Sequence, residues 1–259
     1  MSKNISTLVN AAMAYNERAQ ASRLVDSWSE ETAKEYQGVT ARLLKEATAL
    51  QGKEQTANSN PDSSPEGRFK AMKREVQPFI GGLRWLRDEK GALETKVGNL
   101  FGELFILPPS TRTDQALRDG EIRGALWPLP IDERNNQYLR SSESDQVEIL
   151  RALIDAPLAL ISDEVRMRGD DARAARLQPS LYRKFIESGE LLDEITVILQ
   201  DALSLGAEFG LDTPPVVDEL GPRIRASLDF AVDHAKDRGK KVLHTLFQDA
   251  VVAPSPTKV

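Results

Sequence analysis

Residues 27–50 read SWSEETAKEYQGVTARLLKEATAL, and this stretch indicates which kind of fold the chain adopts. Ser27 and Glu30 have the spacing of a capping box, in which the serine side chain accepts a hydrogen bond from an early helical amide. Beyond them, side chains suited to a core recur at steps of three and four, at Thr32, Tyr36, Val39, Leu43, Ala47 and Leu50. That spacing forms one stripe of an amphipathic helix. The stretch therefore predicts a long helix with one buried face.

The composition extends this prediction to the whole chain. Charged residues make up 29% of the 259 residues and aromatic residues only 6%, while Ala, Leu, Glu and Arg are frequent. Such a composition favours helix over sheet. Runs of alternating Val, Ile, Thr and aromatic residues, which would indicate strands, are almost missing. We therefore predict an all-α fold of helical bundles, and the length allows one large domain or two smaller ones.

Breaks in the helical pattern suggest how the chain is divided. We predict an N-terminal helical domain over residues 1–107 and a C-terminal helical domain over residues 143–252. Four prolines and several polar turns make residues 108–142 the least regular region, so we predict an irregular junction there. Residues 253–259 are expected to be a frayed tail.

Two features interrupt the predicted N-terminal domain. Residues 51–67 read QGKEQTANSNPDSSPEG and hold no apolar side chain larger than alanine, so we predict a flexible surface loop over residues 52–66. Further on, Pro78 and the pair Gly81-Gly82 fall inside a helical pattern. We expect a kink or a break there, because proline removes a hydrogen-bond donor and glycine lowers helix stability.

The sequence offers little for catalysis. The absence of cysteine excludes disulfides, thiolate catalysis and cysteine-ligated zinc. His234 and His244 lie too far apart to form a metal pair on one helix turn, and no phosphate loop, dinucleotide fingerprint or nucleophile elbow occurs. Adjacent carboxylates at 163–164 and 170–171 could hold a metal ion, but the arginines between them favour a solvated helix face. We predict no enzyme activity, no cofactor and no metal site.

No part of the sequence has the length of apolar residues that a bilayer crossing requires. The longest apolar stretch, LFGELFILPP at residues 100–109, contains a glutamate and ends in two prolines. The N-terminal residues lack the long apolar core of a signal peptide. We therefore expect a soluble cytoplasmic protein without a membrane partner.

Positive charge gathers in one region of an otherwise acidic chain. Residues 68–96 contain eight Lys and Arg against four acidic residues, a local net charge of +4 in a chain of −6, which leaves −10 for the remainder. A face with this charge would orient the molecule toward phosphates. We predict that the nucleic-acid-binding residues are Arg68, Lys70, Lys73, Arg74, Arg84, Arg87 and Lys90.

A second interpretation of this region remains open. Leu83, Trp85 and Leu86 would then belong to the core, and the cations beside them would only keep the helix soluble. A weaker basic cluster near the C-terminus is interspersed with five acidic residues, and comprises Arg223, Arg225, Lys236, Arg238, Lys240 and Lys241.

Residues 22–90 resemble the core-binding domain of tyrosine recombinases and phage-type integrases. The likeness rests on SWSEETAKEYQGVTARLLKEATA, a loop, and then GRFKAMKREVQPFIGGLRWL, in which a basic run ends in an aromatic–leucine pair. Thr32 and Tyr36 would match the first helix of that domain, and Lys70, Lys73, Arg74 and Trp85 the second. The resemblance implies a small helical bundle that grips double-stranded DNA.

The same resemblance implies no strand cleavage, because the catalytic half of that family is missing. No His-x-x-Arg box occurs, and the last tyrosine is Tyr182, far from the C-terminus. We therefore predict a non-catalytic DNA-binding accessory or regulatory protein, of the kind a mobile genetic element carries. The alternative is a structural or adaptor protein that acts through protein–protein contacts or self-association, because amphipathic helices can pack against another chain.

Overall fold

The computed structural model of the chain describes residues 3–20, 28–61 and 64–235. Every regular element in these ranges is helical, which confirms the all-α prediction. Residues 222–235 are helical as well. The other helices are α1 Lys3–Gln20, α2 Glu30–Asn58, α3 Pro65–Gly82, α4 Arg84–Phe105, α5 Gln115–Leu126, α6 Ile131–Glu143, α7 Val147–Ile154, α8 Asp163–Leu177 and α9 Pro179–Glu208.

The helices group into two compact units that are not consecutive in sequence. The first unit combines the chain up to residue 97 with residues 187–220, and the second combines residues 98–186 with the chain from residue 221. The linear division predicted from the sequence, with a junction over 108–142, is a different one. Hydrophobic periodicity marks where helices lie but carries no information on which distant helices pack together.

Helix α2 begins close to where the sequence places it. Ser29 is the N-cap, and its hydroxyl accepts a hydrogen bond from the amide of Thr32 at 3.4 Å. Glu30 and Glu31 occupy the first turn, where the helix dipole favours negative charge. The predicted cap, Ser27, lies outside the described residues. The predicted stripe is confirmed, because all of its members are buried: Thr32, Tyr36, Val39, Leu43, Ala47 and Leu50.

The predicted loop over residues 52–66 is shorter in the structure. Helix α2 continues to Asn58, and its last turn is closed by the amide of Ser59, which donates to the Gln55 carbonyl. Residues 51–58 contain good helix formers that the polar composition concealed. Ser64 then caps α3 by accepting from the amide of Gly67 at 3.1 Å, and Pro65 occupies the first helical position. The prediction of a loop is therefore wrong for residues 52–58 and for 65–66.

The break predicted inside α3 lies at its end. The helix runs through Pro78 and ends at Gly82. The amide of Leu83 donates to the carbonyls of both Phe79 and Ile80, and α4 begins at the next residue. The glycine pair, rather than the proline, therefore marks the change from one helix to the next.

Residues 108–142 are not an irregular junction. They contain α5 and most of α6, and only residues 106–114 and 127–130 lie between helices there. The prolines that prompted the prediction stand at helix boundaries, where the missing amide costs nothing. Pro130, for example, is the N-cap residue of α6.

The core of the second unit forms around α6, α7 and the start of α8. Its buried residues are Tyr138, Leu150, Leu153, Leu160 and Ile161. Gly169 allows α8 to approach α6 closely, because a Cβ atom there would lie 2.7 Å from both the Tyr138 ring and the Ser142 hydroxyl. The Tyr138 hydroxyl then reaches Asp170 of α8 at 2.6 Å. A single missing side chain therefore sets the spacing of this helix pair.

A row of carboxylates on α9 organises the first unit. Positions 187, 190, 194 and 201 recur at steps of three, four and seven, and so share one side of the helix. Each carboxylate accepts a hydrogen bond from α1, from α2 or from the residues just before α2. The pairs are Tyr15–Asp201 at 2.6 Å, Trp28–Glu190 at 2.7 Å, Ser29–Glu187 at 2.6 Å, Thr32–Glu187 at 3.0 Å and Tyr36–Glu194 at 3.1 Å.

Because two of these donors are tyrosines, we expect the free energy of unfolding to decrease at alkaline pH. Burial, and next the bond to Asp201, raises the pKa of Tyr15 to about 12, and burial followed by the charge of Glu194 also raises the pKa of Tyr36. Tyrosine in the unfolded chain ionises near pH 10, so stability is complete below about pH 10 and falls as the pH rises toward the folded pKa. Urea unfolding at a series of pH values should show this decrease.

Two variants test the cause of the decrease. The double variant Tyr15→Phe/Tyr36→Phe should be less stable at pH 7 but should lose less further stability between about pH 9 and 11. Trp28→Phe serves as the control. It removes a hydrogen bond to the same helix, but the indole donor of that bond does not titrate. The stability that this variant loses relative to the wild type should therefore be the same at both pH values. If the double variant loses as much stability between these pH values as the wild type does, the two tyrosines are not the cause.

Candidate nucleic-acid interface

The predicted basic region lies in the first unit, on α3 and the beginning of α4. Beside these helices runs an irregular segment, residues 209–220, which we call the strap. The strap begins where α9 ends at a left-handed glycine, Gly210, with φ of 62°. The amide of Leu211 donates to the Gly206 carbonyl and completes this helix end. No local pattern in the sequence indicates that the residues after these glycines return to the basic region.

Several cations of α3 and α4 hold the strap. Lys73 donates to the Gly210 carbonyl at 3.0 Å, and Lys90 donates to the Val217 carbonyl at 2.6 Å. The ring of Phe69 stacks on Phe209 with 5.3 Å between centroids. Two of the predicted phosphate-binding lysines are thus occupied by backbone carbonyls of their own unit.

Lys90 is not available to DNA, which corrects its assignment as a phosphate-binding residue. Only 6% of the residue is exposed, and its ammonium lies 2.5 Å from the equally buried carboxylate of Glu94. Glu94 in turn accepts the amide of Glu219 at 2.8 Å. The i to i+4 spacing of Lys90 and Glu94 was visible in the sequence, but their burial follows from the strap, which covers them.

Two further predicted residues have partners at the beginning of α3. Lys70 pairs with Glu66 at 2.8 Å in an exposed i, i+4 pair. Arg68 is half-buried and donates to the carbonyl of Asn60 at 3.4 Å, while its Nε is buried without a partner. These side chains contribute less free positive charge than the residue count implies.

Arg74, Arg84 and Arg87 are different. None of the three forms an ion pair or hydrogen bond within the parts of the chain that the structure describes, and Arg74 and Arg84 are exposed. Arg84 and Arg87 lie on the wall of a groove of about 770 Å³ between α3, α4 and the strap. The other residues lining this groove are Gln77, Ile80, Gly81, Asp88, Leu211, Asp212 and Pro214.

The groove offers groups of both charges. Asp88 and Asp212 line it together with the arginines, and neither carboxylate forms an ion pair in residues 3–20, 28–61 or 64–235. The backbone of Gly81 is open to the groove, since a Cβ atom there would meet nothing within 4 Å. An anionic group could therefore approach both guanidinium groups and the helix backbone together. Sequence reasoning missed Asp212, because only the strap brings position 212 to α3, and it missed Gln77 because that side chain carries no charge.

Trp85 does not belong to this surface. Its indole lies beneath the guanidinium of Arg42 at 4.1 Å from the ring centre and donates to Glu46 at 3.3 Å. Leu83 and Leu86 are fully buried. The alternative interpretation, in which these apolar residues belong to the core, is therefore correct for both leucines, and Trp85 is occupied by α2.

The second unit holds buried carboxylates where the sequence favoured a solvated face. Asp170 accepts from Tyr138 at 2.6 Å, and Asp171, only 5% exposed, accepts from Tyr182. Burial raises the pKa of the Asp170 carboxyl, against the opposing effect of the Tyr138 hydrogen bond. The solvated-face interpretation is therefore wrong for this pair. The exposed Asp163 and Glu164 agree with it.

The remaining candidates from the sequence are a metal site, a membrane span and the weaker basic cluster. No group of three His, Asp or Glu side chains there could hold a metal ion. No helix among them is both long and apolar enough to cross a membrane. Of the weaker basic cluster, Arg223 lies over the Phe101 ring and Arg225 lies 3.6 Å from Asp229. Other predicted members fall outside the described residues, as does His244: Lys236, Arg238, Lys240 and Lys241.

The burial of Lys90 leads to a stability prediction. Lys90→Met leaves the Glu94 carboxylate buried without its partner, so the free energy of unfolding should fall by about 3–5 kcal/mol. The double variant Lys90→Met/Glu94→Gln should recover much of this loss, because no buried charge remains and the amide oxygen still accepts from Glu219. Lys70→Met, in an exposed pair, should leave stability nearly unchanged. Equal urea midpoints for the two single variants would contradict the structural role of Lys90.

Comparisons of the chain with protein-family models, with curated proteins and with solved structures found no match. The resemblance of residues 22–90 to the recombinase core-binding domain therefore stays a prediction from the sequence.

Proposed function

We propose that the protein is a non-catalytic DNA-binding accessory or regulatory protein whose first unit contacts the phosphate backbone through Arg74, Arg84 and Arg87. The observation that carries the proposal is that their guanidinium groups have no hydrogen-bond or ion-pair partner among the described residues. Other cations of residues 68–96 are engaged within the unit, whereas these three have no intramolecular partner in the described chain. Two of them line one groove.

The positions of the three arginines suit an extended polyanion. Arg84 and Arg87 lie three residues apart, on adjacent turns of α4, and Arg74 lies on the preceding helix, ten residues before Arg84. A guanidinium group binds phosphate oxygens through two parallel hydrogen bonds, and it keeps its charge at any physiological pH. Binding would release the counterions condensed on the DNA.

The same surface suits contact with the DNA backbone without recognition of the base sequence. Trp85, the neighbour of Arg84 in the sequence, is held by α2 and is not available to stack on a base. The two carboxylates of the groove and the overall charge of −6 oppose close approach to DNA, so binding should be weak and limited to low salt. A role beside a catalytic partner, as in a mobile genetic element, fits an accessory protein with these properties.

Binding to a labelled DNA duplex, measured by fluorescence anisotropy across a salt series, tests the proposal. Three phosphate contacts predict that log K falls with log salt with a slope of about −3. The double variant Arg84→Glu/Arg87→Glu should weaken binding and reduce the slope by about two.

A matched control separates local contact from net charge. Lys34→Glu/Lys53→Glu changes the charge of the same unit by the same amount, but at exposed lysines already paired with Glu30 and Glu75. This variant should keep most of the wild-type slope. The proposal fails if the wild type does not bind duplex DNA at low salt, or if the two double variants lose affinity equally.

A further inference from the structure

A hollow on the second unit has the apolar lining of a docking site. It measures about 380 Å³ and lies between α5 and the loop that follows α7. Its lining includes Gly120 and Gly124 of α5, Trp127 just beyond that helix, and Pro157, Leu158 and Leu160 of the loop. Cβ atoms built on the two glycines would meet nothing within 4 Å, so the backbone of α5 is open to an incoming side chain.

Large apolar side chains project around this hollow. Leu117 is 69% exposed, Leu158 61% and Trp127 54%. Leu117 lies three and seven residues before the glycines and therefore on the same side of α5. Single exposed apolar side chains are ordinary on protein surfaces, but a cluster beside an apolar hollow indicates an interaction site.

We propose that a second copy of this chain covers the hollow in a two-fold symmetric contact. A symmetric interface uses the same patch on both partners, so the patch must hold a projection and a matching cavity. This patch holds both, with Leu117, Trp127 and Leu158 as projections and the open backbone at Gly120 and Gly124 as the cavity. A different partner would need only one of the two.

The charges around the patch also fit a second copy. Glu121 is exposed and without a partner among the residues described. Within the same described residues, Arg123 donates to the backbone carbonyls of Asp119 and Asp155 and forms no ion pair with a carboxylate. Glu121 of one copy could therefore pair with Arg123 of the other, so two identical patches complement each other. A partner with a strong charge of one sign would meet a like charge at one of these residues.

The size of the patch sets the strength of the contact. A large aromatic side chain buries about 150–250 Å² in all, and the patch has one tryptophan and two smaller leucines that are 54–69% exposed. With the open backbone they supply at most roughly 500 Å² on each copy, so two copies would bury at most about 1,000 Å², which is the lower limit for a specific interface. We therefore expect a reversible dimer that forms at micromolar or higher concentration.

Sedimentation velocity of the full chain over about 5 to 500 μM tests the dimer, a range that spans the affinities expected for a small interface. The weight-average sedimentation coefficient of the wild type should rise with concentration. Gly124→Leu places a side chain in the hollow, where its Cβ atom has open space, and should weaken association at least about tenfold. Leu117→Glu should do the same by placing a charge on the patch.

Gly52→Leu is the matched control, because Gly52 is also an exposed helical glycine with open space at Cβ, but on α2 of the first unit. It should associate like the wild type, and circular dichroism should show all variants folded. Iodide quenching of Trp127, the most exposed tryptophan among those described, should decrease as the wild type associates. A wild type that stays monomeric at the highest concentration, or dimers that persist in both patch variants, would overturn the proposal.

The dimer test is independent of the DNA test. Apolar contact should not weaken as salt rises, whereas phosphate contact should. Association that disappears with salt would therefore contradict the apolar interface, whatever the outcome for DNA.

Discussion

Glu187, Glu190, Glu194 and Asp201 lie on one face of α9, and each accepts a hydrogen bond from α1, α2 or the residues before α2. Glu187 is buried, Glu190 and Glu194 are partly buried, and Asp201 is exposed. A carboxylate is costly to bury unless it is hydrogen-bonded, so the donors on α1 and α2 stabilise this face most where it is buried. Bonds to charged groups contribute about 1.5–3 kcal/mol each, and they fix the register of the helices as well as their proximity. The first unit therefore combines residues that lie more than 150 positions apart.

That arrangement determines what the basic region can do. Because α9 from Glu187 onward belongs to the first unit, the end of the helix brings the strap to α3 and α4, where Lys73 and Lys90 donate to its carbonyls. A local charge of +4 in the sequence is thus largely used inside the protein. Arg84 and Arg87 remain, and the strap supplies one wall of the groove they line. The same segment buries Lys90, holds Lys73 through a carbonyl, and forms one wall of the groove that Arg84 and Arg87 line.

In the second unit, helices are brought together mainly by apolar packing. Its core is apolar, and Gly169 lets α8 approach α6 until Tyr138 reaches Asp170. Its surface keeps apolar side chains more than half exposed on α5, at Trp127 just beyond that helix, and on the loop that follows α7. The two units therefore offer different chemistry, arginine groups without partners on one and an apolar hollow on the other, which suits a protein that makes two kinds of contact.

The sequence by itself determined the all-α fold, the position of α2 and its buried stripe from Thr32 to Leu50, because the spacing of apolar side chains and the helix caps act over a few residues. It also located the arginines of the groove. It could not show that residues 52–58 and 115–126 are helical, since polar composition and nearby prolines resemble those of loops. Only the tertiary structure decided that Lys90 is buried and that position 212 faces α3. Both follow from contacts across more than 100 residues, which no local pattern encodes.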